Sequence, residues 1–206
     1  AMLDATHGRD LGCLYDEPAM KGTFLSAVDK TPKKLKIAYT SEPLLRDGTI
    51  DSECLQGLQT TVALLRSLGH DVVEATPPLD KAKLAEGYLL RIAAATAGEV
   101  FESERILGRR MKLGDFETET WSLARLGQSF SAGDLDSANR LLYAQTRIFE
   151  QWMQQYDVFL TPTLAAPPVP FGEFHLKGLE KLLSPIAKRL PLGPLVHFLP
   201  VLSHLA

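Results

Sequence analysis

A catalytic serine needs a base and oxyanion-binding amides beside it, and the sequence pattern around the serines of this chain indicates no such neighbours. No Gly-x-Ser-x-Gly turn occurs in the 206 residues. The nearest match, residues 127–131, lacks the closing glycine and precedes a helical pattern, so its serines are interpreted as helix caps. Lys21 and Ser26 are close in sequence, but no glycine-rich loop accompanies them. These patterns predict no catalytic residue.

The spacing of histidine, cysteine and acidic residues does not suit a metal ion. No two of the 5 histidines are four residues apart, and two cysteines, Cys13 and Cys54, are too few for a zinc site. Cys54 lies near the start of a predicted helix and is interpreted as a half-buried filler. A group of glutamates and arginines is interpreted as a solvated face with weak ion pairs. Its members are Glu99, Glu102, Glu104, Arg105, Arg109 and Arg110. We predict no metal and, since no glycine-rich phosphate loop follows the first strand, no cofactor.

The composition is that of a globular protein with a small negative charge. Apolar residues make up 45% and charged residues 23%, and 22 basic against 25 acidic residues leave a net charge of −3. Without a basic excess, nucleic acid is not an expected partner. No apolar run reaches the length of a membrane span, so membrane association is not expected either. No secretory signal is visible, and we predict a cytoplasmic location.

Three short apolar segments predict strands, near 35–40, 71–75 and 157–160. Between the first two, apolar residues recur at steps of three and four over residues 52–68, which predicts a helix. Asp51 precedes it as an N-cap, and Gly69 follows where a left-handed residue is needed. This order predicts a βαβ unit with parallel strands and a right-handed crossover.

Longer helical patterns follow. Residues 79–110 are alanine-rich, although three glycines weaken the helix and could divide it into two or three pieces. These glycines are Gly87, Gly98 and Gly108. A short helix is predicted over 118–127, and a long one over 135–155 with a capping box at Ser131 and Asp134. We therefore expect an irregular lead-in at 1–34, an α/β core at 35–172 and a helical tail, rich in leucine and proline, at 173–206.

Several segments occur in the order and approximate spacing of one family. The strand at 35–39, the Leu-Gly-His-Asp-Val entry at 68–72 and the Asp-Val-Phe-Leu-Thr-Pro-Thr run at 157–163 carry the likeness. Over residues 2–172 the sequence resembles the later part of an amidase-signature enzyme. Its tail resembles an insertion in the branch of 6-aminohexanoate-cyclic-dimer hydrolases. The resemblance implies an α/β fold with a few-stranded, partly parallel sheet packed with long helices.

The resemblance also implies amide hydrolysis by a Ser–cis-Ser–Lys triad acting on a small-molecule amide. That machinery lies in the earlier half of the family, and no Gly-Gly-Ser-Ser-Gly-Gly-like stretch occurs in this sequence. We therefore expect a fragment of a larger enzyme, without catalytic residues and inactive alone. Whether it is a recombinant piece, a proteolytic remnant or a truncated gene product stays open. Thr161, Pro162 and Thr163 could wall the substrate pocket of the complete enzyme, or simply end a strand.

Two other functions are considered. The chain could be a non-catalytic binding or interaction module on an amidase-like scaffold, which a genuine start at Met2 would favour. It could be an amidotransferase subunit that passes ammonia to a carrier, although this mode needs the same triad. A further prediction follows from the expected truncation: the three strands near 35–40, 71–75 and 157–160 cannot close a sheet, and unpaired strand edges recruit other chains. The sequence therefore predicts self-association.

Overall fold

A computed structural model describes residues 1–13, 20–45 and 48–171. The predicted tail at 173–206 lies outside this part of the chain. The described elements, in chain order, are α1 (Met2–Thr6), α2 (Phe24–Val28), β1 (Lys36–Tyr39), α3 (Ser52–Ser67), β2 (Asp71–Glu74), α4 (Lys81–Leu107), α5 (Thr118–Gly127), α6 (Ala132–Met153) and β3 (Val158–Leu160). They form two compact units, one over Ala1–Leu35 and one from Lys36 onward.

The first unit, where the sequence predicted an irregular lead-in, contains two helices of five residues each. The carboxylate of Asp4 in α1 accepts hydrogen bonds from the backbone N–H groups of Phe24 and Leu25 at 2.5 and 3.1 Å. These N–H groups have no partner inside α2, because the first turn of a helix leaves its donors free. Thr23 and Ser26 close a capping box at the same end. Asp4 therefore joins the two short helices.

The second unit is built on a three-stranded parallel sheet in the order β2-β1-β3, which confirms the predicted fold class. Ile37 of β1 pairs with Val72 of β2 on one side and with Val158 of β3 on the other. Ile37 and Ala38 have exposures of 2% and 0%. Because successive residues of a strand point to opposite faces, β1 is covered on both faces of the sheet.

Helix α3 connects β1 to β2 and begins where the sequence predicted. The Asp51 carboxylate accepts a hydrogen bond from the Glu53 N–H at 2.8 Å. Leu58 and Val62 are its buried residues. After the last turn, Gly69 adopts a φ of +89°, a conformation that other residues rarely take. The helix therefore packs through a narrow apolar stripe, and the glycine redirects the chain into β2.

Helix α4 is one continuous helix of 27 residues, so the predicted division at its glycines is wrong. The physical reason is packing. A β-carbon on Gly87 would lie 3.0 Å from Cγ of Leu142 in α6, so this glycine allows two helices to approach closely. Gly108 ends the helix with a φ of +65°. Tertiary contacts at Gly87 therefore offset the helix-weakening effect of glycine.

Helix α6 links the helices to the sheet. Its capping box at Ser131 and Asp134 forms as predicted. Aromatic residues near its C-terminal end pack against Phe159 of β3, with ring centroids 5.9 Å from Phe149 and 5.1 Å from Trp152. The C-terminal part of α6 therefore covers β3. Within residues 1–13, 20–45 and 48–171, no helix combines the length and apolar character that crossing a bilayer requires.

Candidate functional site

An open concavity of about 540 Å³ lies beyond the end of β3. Thr161, Pro162 and Thr163, which directly follow the strand, all line it. In open α/β sheets, ligands bind outside the carboxyl ends of parallel strands, which is where these three residues lie. The volume is within the range of about 300–1,000 Å³ that is typical of small-molecule pockets.

The opposite wall is the first half of α3. Five residues from its first three turns line the concavity: Glu53, Cys54, Gly57, Leu58 and Thr61. The loop after β3 is fixed to this helix, because the backbone N–H of Asp51 donates to the carbonyl of Ala165 at 2.8 Å. Asp51 also caps α3 through its side chain. One residue therefore positions both walls.

The lining is mainly aliphatic, with a few polar groups. Leucine, proline and alanine side chains form most of it: Leu58, Leu160, Pro162, Leu164, Ala166, Pro167 and Pro168. The Thr61 hydroxyl donates to the carbonyl of Gly57 at 2.9 Å. Within the described part of the chain, the hydroxyls of Thr161 and Thr163 form no hydrogen bond. They are therefore available to a ligand.

The concavity supports binding more readily than catalysis. Cys54 is a half-buried free thiol, as the sequence predicted, yet none of the described lining residues is a lysine or histidine that could deprotonate it. Among the residues that the structure describes, no group of three histidine, cysteine or acidic side chains could hold a metal ion. The α3 wall was not predicted, since only the tertiary fold brings it to β3.

A cluster of hydrogen-bonded polar side chains lies at the carboxyl ends of β1 and β2. The Glu74 carboxylate accepts hydrogen bonds from the hydroxyls of Ser41 and Tyr39 at 2.9 and 3.4 Å. The hydroxyls of Thr40 and Thr76 lie 2.7 Å apart, and Thr40 also accepts from the N–H of Glu42. These groups satisfy one another, so the cluster is structural, joining the ends of two strands.

The serines considered from the sequence form local hydrogen bonds at helix ends. Ser129 donates to the carbonyl of Leu126 at 2.6 Å, and Ser131 caps α6. Ser26, the residue close to Lys21, donates to the carbonyl of Thr23 at 2.7 Å. The interpretation as a helix cap is confirmed for Ser131. It is wrong for Ser129, whose hydroxyl is used by a carbonyl at the C-terminal end of α5 and not by the N–H groups of α6.

Within the predicted glutamate and arginine group, Glu102 and Arg105 form an exposed ion pair, as expected, whereas Arg109 pairs with Asp115 outside the group. Arg105 donates to Glu102, which lowers the pKa of that carboxyl. Arg109 donates two hydrogen bonds to Asp115, at 2.8 and 3.1 Å. With a further bond from the Lys112 N–H, these lower the pKa of Asp115 to about 2. Ion pairing explains both shifts, and neither marks an active site.

The sequence profile of the family described as Amidase matches residues 1–187. A 6-aminohexanoate-cyclic-dimer hydrolase of Pseudomonas sp. (strain NK87) is 25% identical over 187 residues, which cover 87% of this chain and 37% of that relative. A lipoamidase of Enterococcus faecalis is 32% identical over 132 residues, which cover 63% of this chain and 18% of the relative.

The fold has a counterpart among solved structures. A 6-aminohexanoate cyclic dimer hydrolase complexed with substrate superposes with a TM-score of 0.73 at 21% identity, covering 90% of this chain and 41% of that one. This likeness shows the fold. The chain spans well under half the length of the first relatives that it matches.

Proposed function

Because this chain belongs to the Amidase family, we propose that it is part of an enzyme that hydrolyses the amide C–N bonds of small molecules. The family match over residues 1–187 is the observation that carries the proposal. The names of the two relatives described above, a cyclic-dimer hydrolase and a lipoamidase, agree with this class of reaction.

Within such an enzyme, the proposed role of the chain is to shape the substrate pocket. Thr161, Pro162 and Thr163 would form one wall, and the first half of α3 the other. Three features support this role: the position beyond a parallel strand, the aliphatic lining and the two hydroxyls that have no hydrogen bond within the described residues. An aliphatic wall excludes water from an acyl chain, while hydroxyls can hydrogen-bond the amide.

We further propose that the chain does not hydrolyse amides by itself. Acceleration of acyl transfer comes mainly from an activated nucleophile and from donors aimed at the tetrahedral oxygen. The sequence contains no glycine-serine-rich loop for either purpose. A wall that binds substrate and transition state equally well does not accelerate the chemical step.

The test compares the chain with its extended reading frame. The coding sequence on both sides of residues 1–206 is read, and any continuous frame is expressed beside the chain itself. Ammonia release from hexanamide is measured for both proteins. We expect turnover by the extended protein alone. Turnover by the purified 206-residue chain would refute its inactivity, and an extended protein without amidase activity would refute the function.

The same experiment separates the alternative of a binding module. If the reading frame begins at Met2, the non-catalytic module on an amidase-like scaffold is favoured.

Self-association stays a prediction, supported by the edge positions of β2 and β3 and by the 40% exposure of Val158. Sedimentation at micromolar concentration tests it, since a compact monomer would contradict it. A cytoplasmic location also stays a prediction, which cell fractionation would test.

A further inference from the structure

The loop after β3, residues 161–171, has a single hydrogen bond to the rest of the described chain. This bond runs from the backbone N–H of Asp51 to the carbonyl of Ala165, at 2.8 Å. Four of the eleven loop residues are prolines, which have no N–H to donate. The proline content therefore explains why this wall of the concavity has so few hydrogen bonds.

Packing holds the middle of the same loop only weakly. Thr161, Pro162 and Pro167 are half-buried, so the loop is covered near its two ends. Residues 163–166 between them are all exposed, and Leu164 has an exposure of 63%. The distance of this exposed stretch from α3 therefore depends on the hydrogen bond at its centre.

The donor of that bond is itself held in place by α3. The carbonyl of Asp51 accepts from the Leu55 N–H at 3.0 Å, and its carboxylate accepts from the Glu53 N–H at 2.8 Å. The N–H of an N-cap residue has no partner within its own helix. In this chain that N–H bonds the loop instead, so the start of α3 is a fixed point to which the loop is attached.

We infer that Asp51 is a positioning residue of the concavity, whose backbone N–H holds the loop after β3 at the distance from α3 that a ligand needs. This inference rests on the proposed function, because it concerns the same pocket. A wall that is already in place binds a ligand more tightly than one that must first be ordered. If the loop is in place for only a fraction of the time, the apparent affinity falls by that fraction.

The coupling between ligand and loop must act in both directions. A ligand that lies between α3 and the loop should stabilise the bond from Asp51 to Ala165. Hexanamide should therefore slow hydrogen exchange at the Asp51 amide. The Ser131 amide is the matched control, since it donates to the Asp134 carboxylate at 2.8 Å in the cap of α6, away from the concavity. Its exchange should not respond to hexanamide.

Three substitutions separate the N–H of Asp51 from its side chain. Asp51→Ser keeps an N–H and a capping oxygen, Asp51→Ala keeps the N–H alone, and Asp51→Pro has neither. The φ of −57° at this position suits proline. Hexanamide is titrated into each 206-residue chain, and the NMR amide shifts of Thr161 and Thr163 report binding. Because water competes for this exposed bond, we expect about two- to five-fold weaker binding by Asp51→Pro than by Asp51→Ala. Asp51→Ser should bind as the unsubstituted chain does.

The outcomes separate this inference from the pocket assignment. If Asp51→Pro binds hexanamide as tightly as Asp51→Ala, or if hexanamide leaves exchange at the Asp51 amide unchanged, the inference is wrong while the pocket assignment stands. If hexanamide shifts neither Thr161 nor Thr163 in the unsubstituted chain, both are wrong. Circular dichroism shows whether each variant retains the fold, and the exchange measurement decides the matter without any substitution. Ammonia release tests the amidase function separately.

Discussion

Gly127 of α5 lies directly against the backbone of Ala93 in α4. A β-carbon on Gly127 would overlap the Ala93 carbonyl and would come within 2.9 Å of the Ala94 nitrogen. Ala93 is itself 0% exposed. The two helices therefore cross at a point where only hydrogen atoms separate their backbones, and the surrounding core depends on this approach.

Replacing Gly127 by alanine should therefore destabilise the fold. Because the obstructing atoms belong to a backbone, the helices must move apart, and we expect a loss of about 3 kcal/mol in the free energy of unfolding. Gly98→Ala is the matched control, since nothing lies within 4 Å of its added β-carbon. That variant should gain about 0.5–1 kcal/mol from helix propensity. Urea unfolding measures both, and similar stabilities would contradict the close crossing.

Gln145 supplies a buried hydrogen bond between α6 and the start of α4. Its side-chain oxygen accepts from the Asp80 N–H at 2.8 Å, and the residue is 4% exposed. Gln145→Leu would leave that N–H without a partner and should cost about 1–3 kcal/mol. Gln151→Leu, at an exposed position of the same helix, should change stability by less than about 0.5 kcal/mol. Equal effects in urea unfolding would show that the bond contributes nothing.

The pair of Arg109 and Asp115 should give a measurable acid dependence. In the folded chain the pKa of Asp115 is about 2, below its ordinary value of 3.8. The unfolded state therefore binds the proton more readily, so the pair stabilises the fold above about pH 4 and loses this effect as the pH falls towards 2. A ¹³C NMR titration of the carboxyl should show a midpoint near 2.

The same titration has a specific control. Arg109→Gln removes the main cause of the shift, so the midpoint of Asp115 should move up towards its ordinary value. Arg105→Gln should instead raise the pKa of Glu102 and leave Asp115 unchanged. An Asp115 midpoint that does not respond to Arg109→Gln would contradict the assigned cause.

A substitution at Gly57 should change both the stability of helix α3 and the volume of the concavity. It lies inside α3 and lines the concavity, and an added β-carbon would meet nothing within 4 Å. Gly57→Ala should therefore stabilise the helix by about 0.5–1 kcal/mol while weakening hexanamide binding. Gly98→Ala should stabilise α4 by a similar amount without affecting binding. Unchanged binding by Gly57→Ala would place the amide elsewhere.

The sequence predicted those helices and strands whose ends depend on residues close by in the chain. Asp51 and Ser131 cap their helices through their own side chains, so each start was visible in a few residues. The glycines of α4 and α5 have a different role. Gly87 and Gly127 allow close contacts with residues far along the chain. No local pattern distinguishes such a glycine from one that breaks a helix.

The candidate site, too, was predicted only in the part that a short stretch of sequence carries. Thr161, Pro162 and Thr163 were proposed because their sequence resembles a known family. Glu53 and Gly57 carry no such signal, since they join the site only after α3 packs beside the loop that follows β3. The spacing of the apolar residues over 52–68 indicated where the helix lies, but a residue on its solvent-facing side gave no sign of a neighbouring wall.

The pairing of β1 with β3 has a consequence for biosynthesis. The Lys36 N–H donates to the Asp157 carboxylate across 121 positions of the chain. While the ribosome is still adding α4, α5 and α6, the first two strands can already pair, but the third does not yet exist. Closing so long a loop is entropically costly and slows folding. Until β3 has been synthesised, one edge of β1 therefore has no strand partner in the nascent chain. A chaperone would matter most during this part of synthesis.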